Sequence, residues 1–137
     1  IKLVDKDNKE FYGGIAVNVG NPHVIFFLEN IDKFNLEKIG PEIENHELFP
    51  EKCNVTLAKK ISPSLIKVKV WERGAGLTKA CGTAACATAV AANLENLSNS
   101  KTDIEFSMGK LTISIDENHN IRMMGPVSEI KEIKINI

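Results

Sequence analysis

The sequence lacks the features of a membrane-spanning or nucleic-acid-binding chain. No apolar stretch approaches the roughly 18 uninterrupted residues of a membrane span, and no signal peptide is visible. The 17 basic and 18 acidic side chains leave a net charge of −1, and the basic residues are scattered. Without an excess of positive charge, there is no electrostatic reason to expect nucleic acid or an anionic membrane as a partner.

Cysteine is also scarce, with three residues and no Cys-x-x-Cys pair. We therefore expect neither a disulfide framework nor a metal site. An odd number of thiols without such a framework fits a reducing compartment, so we expect a cytoplasmic protein. The sequence begins at Ile1 rather than at a methionine, which leads us to expect a fragment of a longer protein.

The chain shows no linker, internal repeat or low-complexity tract. Its 137 residues, of which 43% are apolar, are enough for one domain with its own core, so we expect a single domain over residues 1–137. Most segments read as short strands rich in β-branched and aromatic residues and bounded by turn residues. These predicted strands cover residues 1–4, 14–19, 24–28, 54–59, 65–71, 103–107, 111–115, 121–124 and 127–137.

Two segments predict helices instead. Residues 35–46 carry apolar residues at near-helical spacing, and the pair Gly40-Pro41 is expected to kink or split this helix. Residues 80–97 are so rich in alanine that no polar face remains, which is typical of a buried helix. Many short strands around one such helix predict an α+β fold, in which a β-barrel-like, mostly antiparallel sheet wraps around a buried central helix.

The residue that most suggests chemistry is Cys81. It follows the glycine loop Gly74-Ala75-Gly76 and stands where the alanine-rich helix is expected to begin. The positive end of the helix dipole and the free N–H groups there favour a thiolate, so Cys81 is a candidate base or nucleophile. The same N–H groups could hold a carboxylate, which indicates an acidic small-molecule substrate.

Four motifs, in order, make residues 11–126 resemble the second half of the diaminopimelate epimerase family. They are Gly20-Asn21-Pro22-His23, Cys53-Asn54-Val55, Glu72-Arg73-Gly74-Ala75-Gly76 and Ala80-Cys81-Gly82-Thr83. The resemblance implies the C-terminal half of an enzyme that interconverts LL- and meso-diaminopimelate for lysine and cell-wall synthesis. In this family one cysteine thiolate removes the α-proton, a second thiol protonates the opposite face, and no pyridoxal cofactor takes part.

The resemblance also implies catalytic roles for three residues. Cys81 would be one of the two thiols, with His23 beside it to assist proton transfer. Glu72 would belong to the same machinery and would help to fix the distal ammonium group of the substrate.

Five further residues would bind substrate by the same resemblance. Arg73 would hold the distal carboxylate, since its planar fork matches a carboxylate bidentately. Asn21 would contact the distal end, and Asn54 would supply a substrate-binding amide. Gly82 and Thr83 would belong to the cradle for the α-carboxylate.

The chain departs from the family at two points. Leu77 replaces the usual glutamate of Gly-x-Gly-Glu-Thr, and the Ala-Cys-Gly-Asn motif of the other catalytic cysteine is absent. Because inversion needs an acid and a base on opposite faces of one carbon, we expect this chain alone to be inactive and to require the missing N-terminal half. A homodimer is a further expectation. A sister cofactor-independent amino-acid racemase and a non-catalytic binding or scaffold domain of the same fold remain alternatives.

Overall fold

A single curled sheet dominates the computed structural model, which describes residues 1–78, 81–107, 109–125 and 130–134. The strands are β1 Lys2–Val4, β2 Glu10–Tyr12, β3 Ile15–Asn18, β4 Pro22–Phe27, β5 Asn54–Ser62, β6 Leu65–Glu72, β7 Gly76–Thr78, β8 Lys101–Phe106, β9 Gly109–Ile115, β10 Asn120–Met124 and β11 Ile130–Lys134. Strands β3 to β11 form this sheet in the order β11-β10-β9-β8-β6-β5-β4-β3, with β7 paired to β6. Only β4 with β5 and β6 with β8 run parallel in this described part; the other pairs are antiparallel. A separate hairpin joins β1 to β2.

The helices are a short 3₁₀ turn at Ile31–Lys33, α1 at Leu36–Glu44 and α2 at Gly82–Leu94. The predicted helix start at Ala80, and residues 127–129 and 135–137 of the last predicted strand, lie outside the described residues.

The sheet wraps around α2, as predicted. This helix contacts β3 near one end of the strand order, β9 and β10 towards the other, and β4, β5 and β8 between them. Every residue from Ala84 to Ala92 is buried. Alanine forms helices well and has little bulk, so strands can surround the helix at close range.

Helix α1 packs on the face of the sheet opposite to α2, against β5, β6 and β7. The alternation of strand side chains produces this division: Val70 belongs to the core around α2, whereas its neighbour Trp71 packs against the α1 core. Strands β5 and β6 therefore contribute to two cores at once.

Of the kink or split expected at Gly40-Pro41, the split does not occur. Helix α1 continues from Leu36 to Glu44 with Pro41 inside it. A proline removes one backbone donor, and the buried apolar side of this helix offsets that loss. A steric reason explains the glycine at position 40, because a Cβ there would lie 2.5 Å from Cγ and Cδ2 of the Trp71 indole.

Candidate active site

Three of the predicted site residues lie in a row across neighbouring strands. His23 pairs with Asn54 in the parallel β4–β5 ladder. In the antiparallel β5–β6 ladder Val55 pairs with Trp71, so continuing that register by one residue places Asn54 opposite Glu72. The alternation that puts Ile25 and Val70 into the core around α2 puts this row on the same face, the face that α2 covers.

His23 is a buried, neutral imidazole. Its exposed fraction is 1%, and its Nε2 lies 3.0 Å from Oδ1 of Asn21 and 3.5 Å from Nδ2 of Asn54. Burial, and secondarily the positive charge of Arg73, lowers the pKa of His23 to about 4. At neutral pH the ring is therefore uncharged. One of its two nitrogens then carries a proton, and the other can accept one.

Asn54 fixes the position of its neighbours. Its Nδ2 donates to the carbonyl of Pro22 at 3.2 Å, and its Oδ1 accepts from the backbone N–H of Arg73 at 2.6 Å. These bonds orient the amide and tie the end of β6 to the start of β4. An exposed fraction of 2% leaves Asn54 almost no solvent contact.

Glu72 and Arg73 lie where β6 ends and a turn begins. The strand ends at Glu72, whose carbonyl accepts from the N–H of Ala75 at 3.1 Å, and Gly74 occupies the left-handed region with φ of 76°. Arg73 therefore lies in the turn, where Nη1 of its guanidinium donates to the carbonyl of Glu51 at 3.1 Å. Adjacent strand residues would point to opposite faces, but the turn removes that restriction.

Cys81 occupies the N-cap position of α2, as the sequence predicts, and its side chain makes no capping hydrogen bond among the described residues. Its backbone is extended, with φ of −149° and ψ of 112°, and its carbonyl accepts from the N–H of Ala85 at 3.0 Å. Its half-buried Sγ lies 3.4 Å from Oγ1 of Thr83. Gly82 is close to a neighbouring side chain, since a Cβ there would lie 3.1 Å from Cε and Sδ of Met123.

The other two thiols are buried and belong to the cores. Burial, and then the Glu44 carboxylate, raises the pKa of Cys53 to about 11. Burial, and then the nearby Cys81, raises the pKa of Cys86 to about 11. Neither is suited to act as a thiolate at neutral pH.

The site thus has two parts. One is the row formed by His23, Asn54 and Glu72 together with Asn21 and Arg73; the other is the start of α2 with Cys81, Gly82 and Thr83. Within the described ranges no hydrogen bond joins the two parts directly. The described part of the chain also contains no group of three or more histidine, cysteine, aspartate or glutamate side chains that could bind a metal ion.

Sequence reasoning missed the contact that anchors the glycine loop. Nε1 of Trp71 donates to Oε1 of the buried Glu44 at 2.8 Å, and a Cβ at Gly76 would lie 3.6 Å from Cη2 of the same indole. Residues 27 positions apart form this bond, so no local pattern could reveal it.

A cavity of about 460 Å³ between Leu36 and Val68 contains none of the site residues named above.

No helix in the described part of the chain has the length and apolar character that crossing a membrane requires.

Comparison with known families and proteins gives consistent results. The family model described as diaminopimelate epimerase matches residues 15–130. The diaminopimelate epimerase of Pelagibacter ubique (strain HTCC1062) is 68% identical over 137 residues, which are 100% of this chain and 50% of that protein. The diaminopimelate epimerase of Bacteroides thetaiotaomicron is 47% identical over 130 residues, 94% of this chain and 49% of its own. The chain spans about half the length of these curated relatives.

Solved structures agree on the fold alone. A phenazine biosynthesis protein of the PhzF family from Enterococcus faecalis matches with a TM-score of 0.57 and 18% identity, over 76% of this chain and 37% of that one. A putative phenazine biosynthesis PhzC/PhzF protein from Clostridium difficile (strain 630) matches with a TM-score of 0.57 and 20% identity, over 85% of this chain and 42% of that one.

Proposed function

Since this chain belongs to the diaminopimelate epimerase family, we propose that it is the C-terminal half of a cofactor-independent epimerase that interconverts LL- and meso-diaminopimelate. The half-length coverage of its relatives supports a chain that carries half of the site. The position of Cys81 at the start of α2, on the sheet face that also carries His23, is the observation that supports this proposal most.

In the proposed reaction Cys81 serves one face of the substrate. Its thiolate takes the α-proton, the electron pair of the broken C–H bond stays on the α-carbon, and a thiol from the missing N-terminal half delivers a proton to the opposite face. The reverse direction exchanges the two roles, so no oxidant or reductant is needed. The unpaired N–H groups at the start of α2 would stabilise the α-carboxylate as charge develops beside it.

The row across the sheet would recognise the distal end of the substrate. The Arg73 guanidinium is a bidentate partner for the distal carboxylate, and Asn54 holds its backbone in place. Glu72 would pair with the distal ammonium group, and Asn21 would contact the same end. His23, being neutral, would relay or polarise a proton next to the thiols without adding charge.

The test is a cysteine substitution in the full-length enzyme. Interconversion of LL- and meso-diaminopimelate is measured for wild type, Cys81→Ala and Cys86→Ala. We expect Cys81→Ala to lose epimerisation and Cys86→Ala to keep it, since Cys86 is a buried core thiol. Full epimerisation by Cys81→Ala would exclude the proposed role.

A cytoplasmic location and self-association belong to the same proposal. Cys53, Cys81 and Cys86 are all free, which suits a reducing compartment. Exposed apolar side chains such as Tyr12 and Leu48 provide surface through which a second copy could bind.

A further inference from the structure

The guanidinium of Arg73 is bound by a backbone carbonyl from a turn outside the four sequence motifs. Its Nη1 donates to the carbonyl of Glu51 at 3.1 Å, and the backbone N–H of Arg73 donates to Oδ1 of Asn54 at 2.6 Å. Residues 51–54 therefore fix Arg73 both at its backbone and at the end of its side chain. A guanidinium carries five N–H donors, so one bond to a carbonyl is compatible with binding a carboxylate as well.

The peptide unit between Glu51 and Lys52 uses both of its polar groups. Its carbonyl accepts from Arg73, and its N–H, which belongs to Lys52, donates to the carbonyl of Phe49 at 2.8 Å and closes a turn. The carbonyl and the N–H of a trans peptide lie in one plane and point in opposite directions. Both bonds therefore require one particular orientation of this plane.

The backbone of Lys52 sets that orientation. Its φ is 65°, in the left-handed region, and β5 begins two residues later at Asn54. Rotation about the N–Cα bond of Lys52 turns the Glu51–Lys52 peptide relative to this strand. With the strand in place, an ordinary negative φ at Lys52 would direct the Glu51 carbonyl elsewhere.

Lysine is an unusual residue for this conformation. The described part of the chain contains three other non-glycine residues with left-handed φ, namely Asn8, Asn96 and His119. Asparagine and histidine are enriched in that region, whereas lysine is not. The left-handed backbone of Lys52 therefore costs free energy, which the contacts of the surrounding chain must offset.

We propose that Lys52 is a positioning residue for Arg73. Its left-handed backbone directs the Glu51 carbonyl at the guanidinium, and this orients the guanidinium for the distal carboxylate of the substrate. A side chain that is oriented before binding loses less conformational entropy when the ligand arrives. The orientation of Arg73 is independent of activity, whereas its consequence for substrate affinity rests on the proposed function.

The first test compares Lys52→Gly with Lys52→Val in the full-length protein. Both variants remove the ammonium group, so a difference between them reports on the backbone and not on the charge. Glycine adopts a left-handed φ without strain, whereas a β-branched valine opposes it.

The order of the Arg73 side chain is measured by the heteronuclear ¹⁵N–¹H NOE of its Nε, whose resonance is identified by its absence from Arg73→Gln. We expect wild-type order in Lys52→Gly and reduced order in Lys52→Val. Equal order in the two variants would overturn the proposal.

The second readout is the KM for diaminopimelate. We expect Lys52→Val to raise KM about 5-fold with little change in kcat, and Lys52→Gly to keep the wild-type KM.

The matched control is His119→Val, in the turn between β9 and β10. His119 also has a left-handed φ, of 61°, and its N–H also closes a turn, by donating to the carbonyl of Asp116 at 3.1 Å. This variant should lose stability without a change in KM. An equal rise in KM for His119→Val would overturn the proposal, because the effect of Lys52→Val would then be general destabilisation.

A stability measurement does not depend on the folding of Lys52→Val. Replacing alanine by glycine ordinarily lowers stability, but at a left-handed position glycine is the better residue. We expect Lys52→Gly to unfold at a higher urea concentration than Lys52→Ala. An equal or lower midpoint for Lys52→Gly would overturn the proposal.

Failure of the proposed function gives a different result. If the order of Arg73 falls in Lys52→Val while KM stays at its wild-type value, Lys52 positions Arg73 as proposed, and Arg73 does not bind the substrate.

Discussion

At the scale of single residues, burial determines which groups can carry charge. His23, Cys53 and Cys86 are all removed from solvent, and each is shifted towards its neutral form. Cys81 differs from the other two cysteines because it is half-buried and caps a helix. The same physical cause therefore leaves a neutral imidazole in the site and two inert thiols in the cores.

The depressed pKa of His23 predicts a pH-dependent stability. The native pKa is about 4, below the ordinary value of 6.5, so between these values the unfolded chain binds a proton that the native chain does not. The contribution of His23 to the free energy of unfolding is fully present above about pH 6.5. It falls by about 3 kcal/mol in total as the pH decreases to about 4. Urea unfolding at a series of pH values measures this loss.

The comparison for this experiment is His23→Gln, which cannot titrate. Its stability should vary less between pH 6.5 and pH 4 than that of the wild type. Equal pH profiles for the two proteins would contradict the assignment.

Arg73→Gln removes a charge that lowers the pKa of His23, so it should move the midpoint of the His23 titration upwards in NMR.

The three thiols should differ in reactivity. In the folded chain we expect iodoacetamide to modify Cys81 first at neutral pH, because Cys53 and Cys86 are fully buried and have pKa values of about 11. The buried thiols should react at least about 100-fold more slowly until the chain unfolds. Peptide mass spectrometry over time measures this order, with Cys81→Ser as the control. Rapid native-state labelling of Cys53 or Cys86 would refute it.

At the scale of elements, α1 serves as a support for the glycine loop. Trp71 at the end of β6 contacts Gly40 of α1 and is fixed by its bond to Glu44. Gly76 lies against the same ring. This arrangement connects a helix on one face of the sheet to the loop that leads to Cys81.

Gly40→Ala should destabilise the protein, although alanine favours helices. The new Cβ would lie 2.5 Å from Cγ and Cδ2 of Trp71, an indole held by Glu44. We expect a loss of about 1–3 kcal/mol from this overpacking, which exceeds the gain of about 1 kcal/mol in helix propensity. Thermal unfolding measures the change. The control is Lys38→Ala, at an exposed position of the same helix, whose stability should stay within about 0.5 kcal/mol of wild type. A Gly40→Ala variant as stable as wild type would contradict the prediction and show that the indole can move.

The elements that sequence patterns predicted well are those whose signal is local. The alanine-rich segment predicted α2 and its burial, and strong alternation predicted β6. The short strands β2 and β7 were not predicted, and their pairing with a neighbouring strand defines them.

The candidate site divides in the same way. The helix start at Cys81 follows from the sequence, and the motifs supplied the other residues through their family resemblance. The bond from Asn54 to Arg73 and the pairing of Asn54 with His23 depend on strand register, which a sequence without a structure does not specify.

At the scale of the whole molecule, the proposed function makes this chain one half of a two-sided reaction. The described residues contain one accessible thiol at a helix start and two buried thiols that are held neutral. Inversion at a carbon atom requires proton exchange on both of its faces. The proposed function therefore requires a second thiol from outside this chain, which spans about half the length of its curated relatives.

The most direct measurement is the interconversion of LL- and meso-diaminopimelate, with the 137-residue chain alone and with the N-terminal half added. We expect no interconversion with the chain alone and interconversion with both halves. Interconversion by the chain alone would contradict the proposed division of the site, because a second acid or base on the opposite face of the α-carbon would then lie within these residues. No interconversion by a well-folded mixture of both halves would contradict the epimerase function itself.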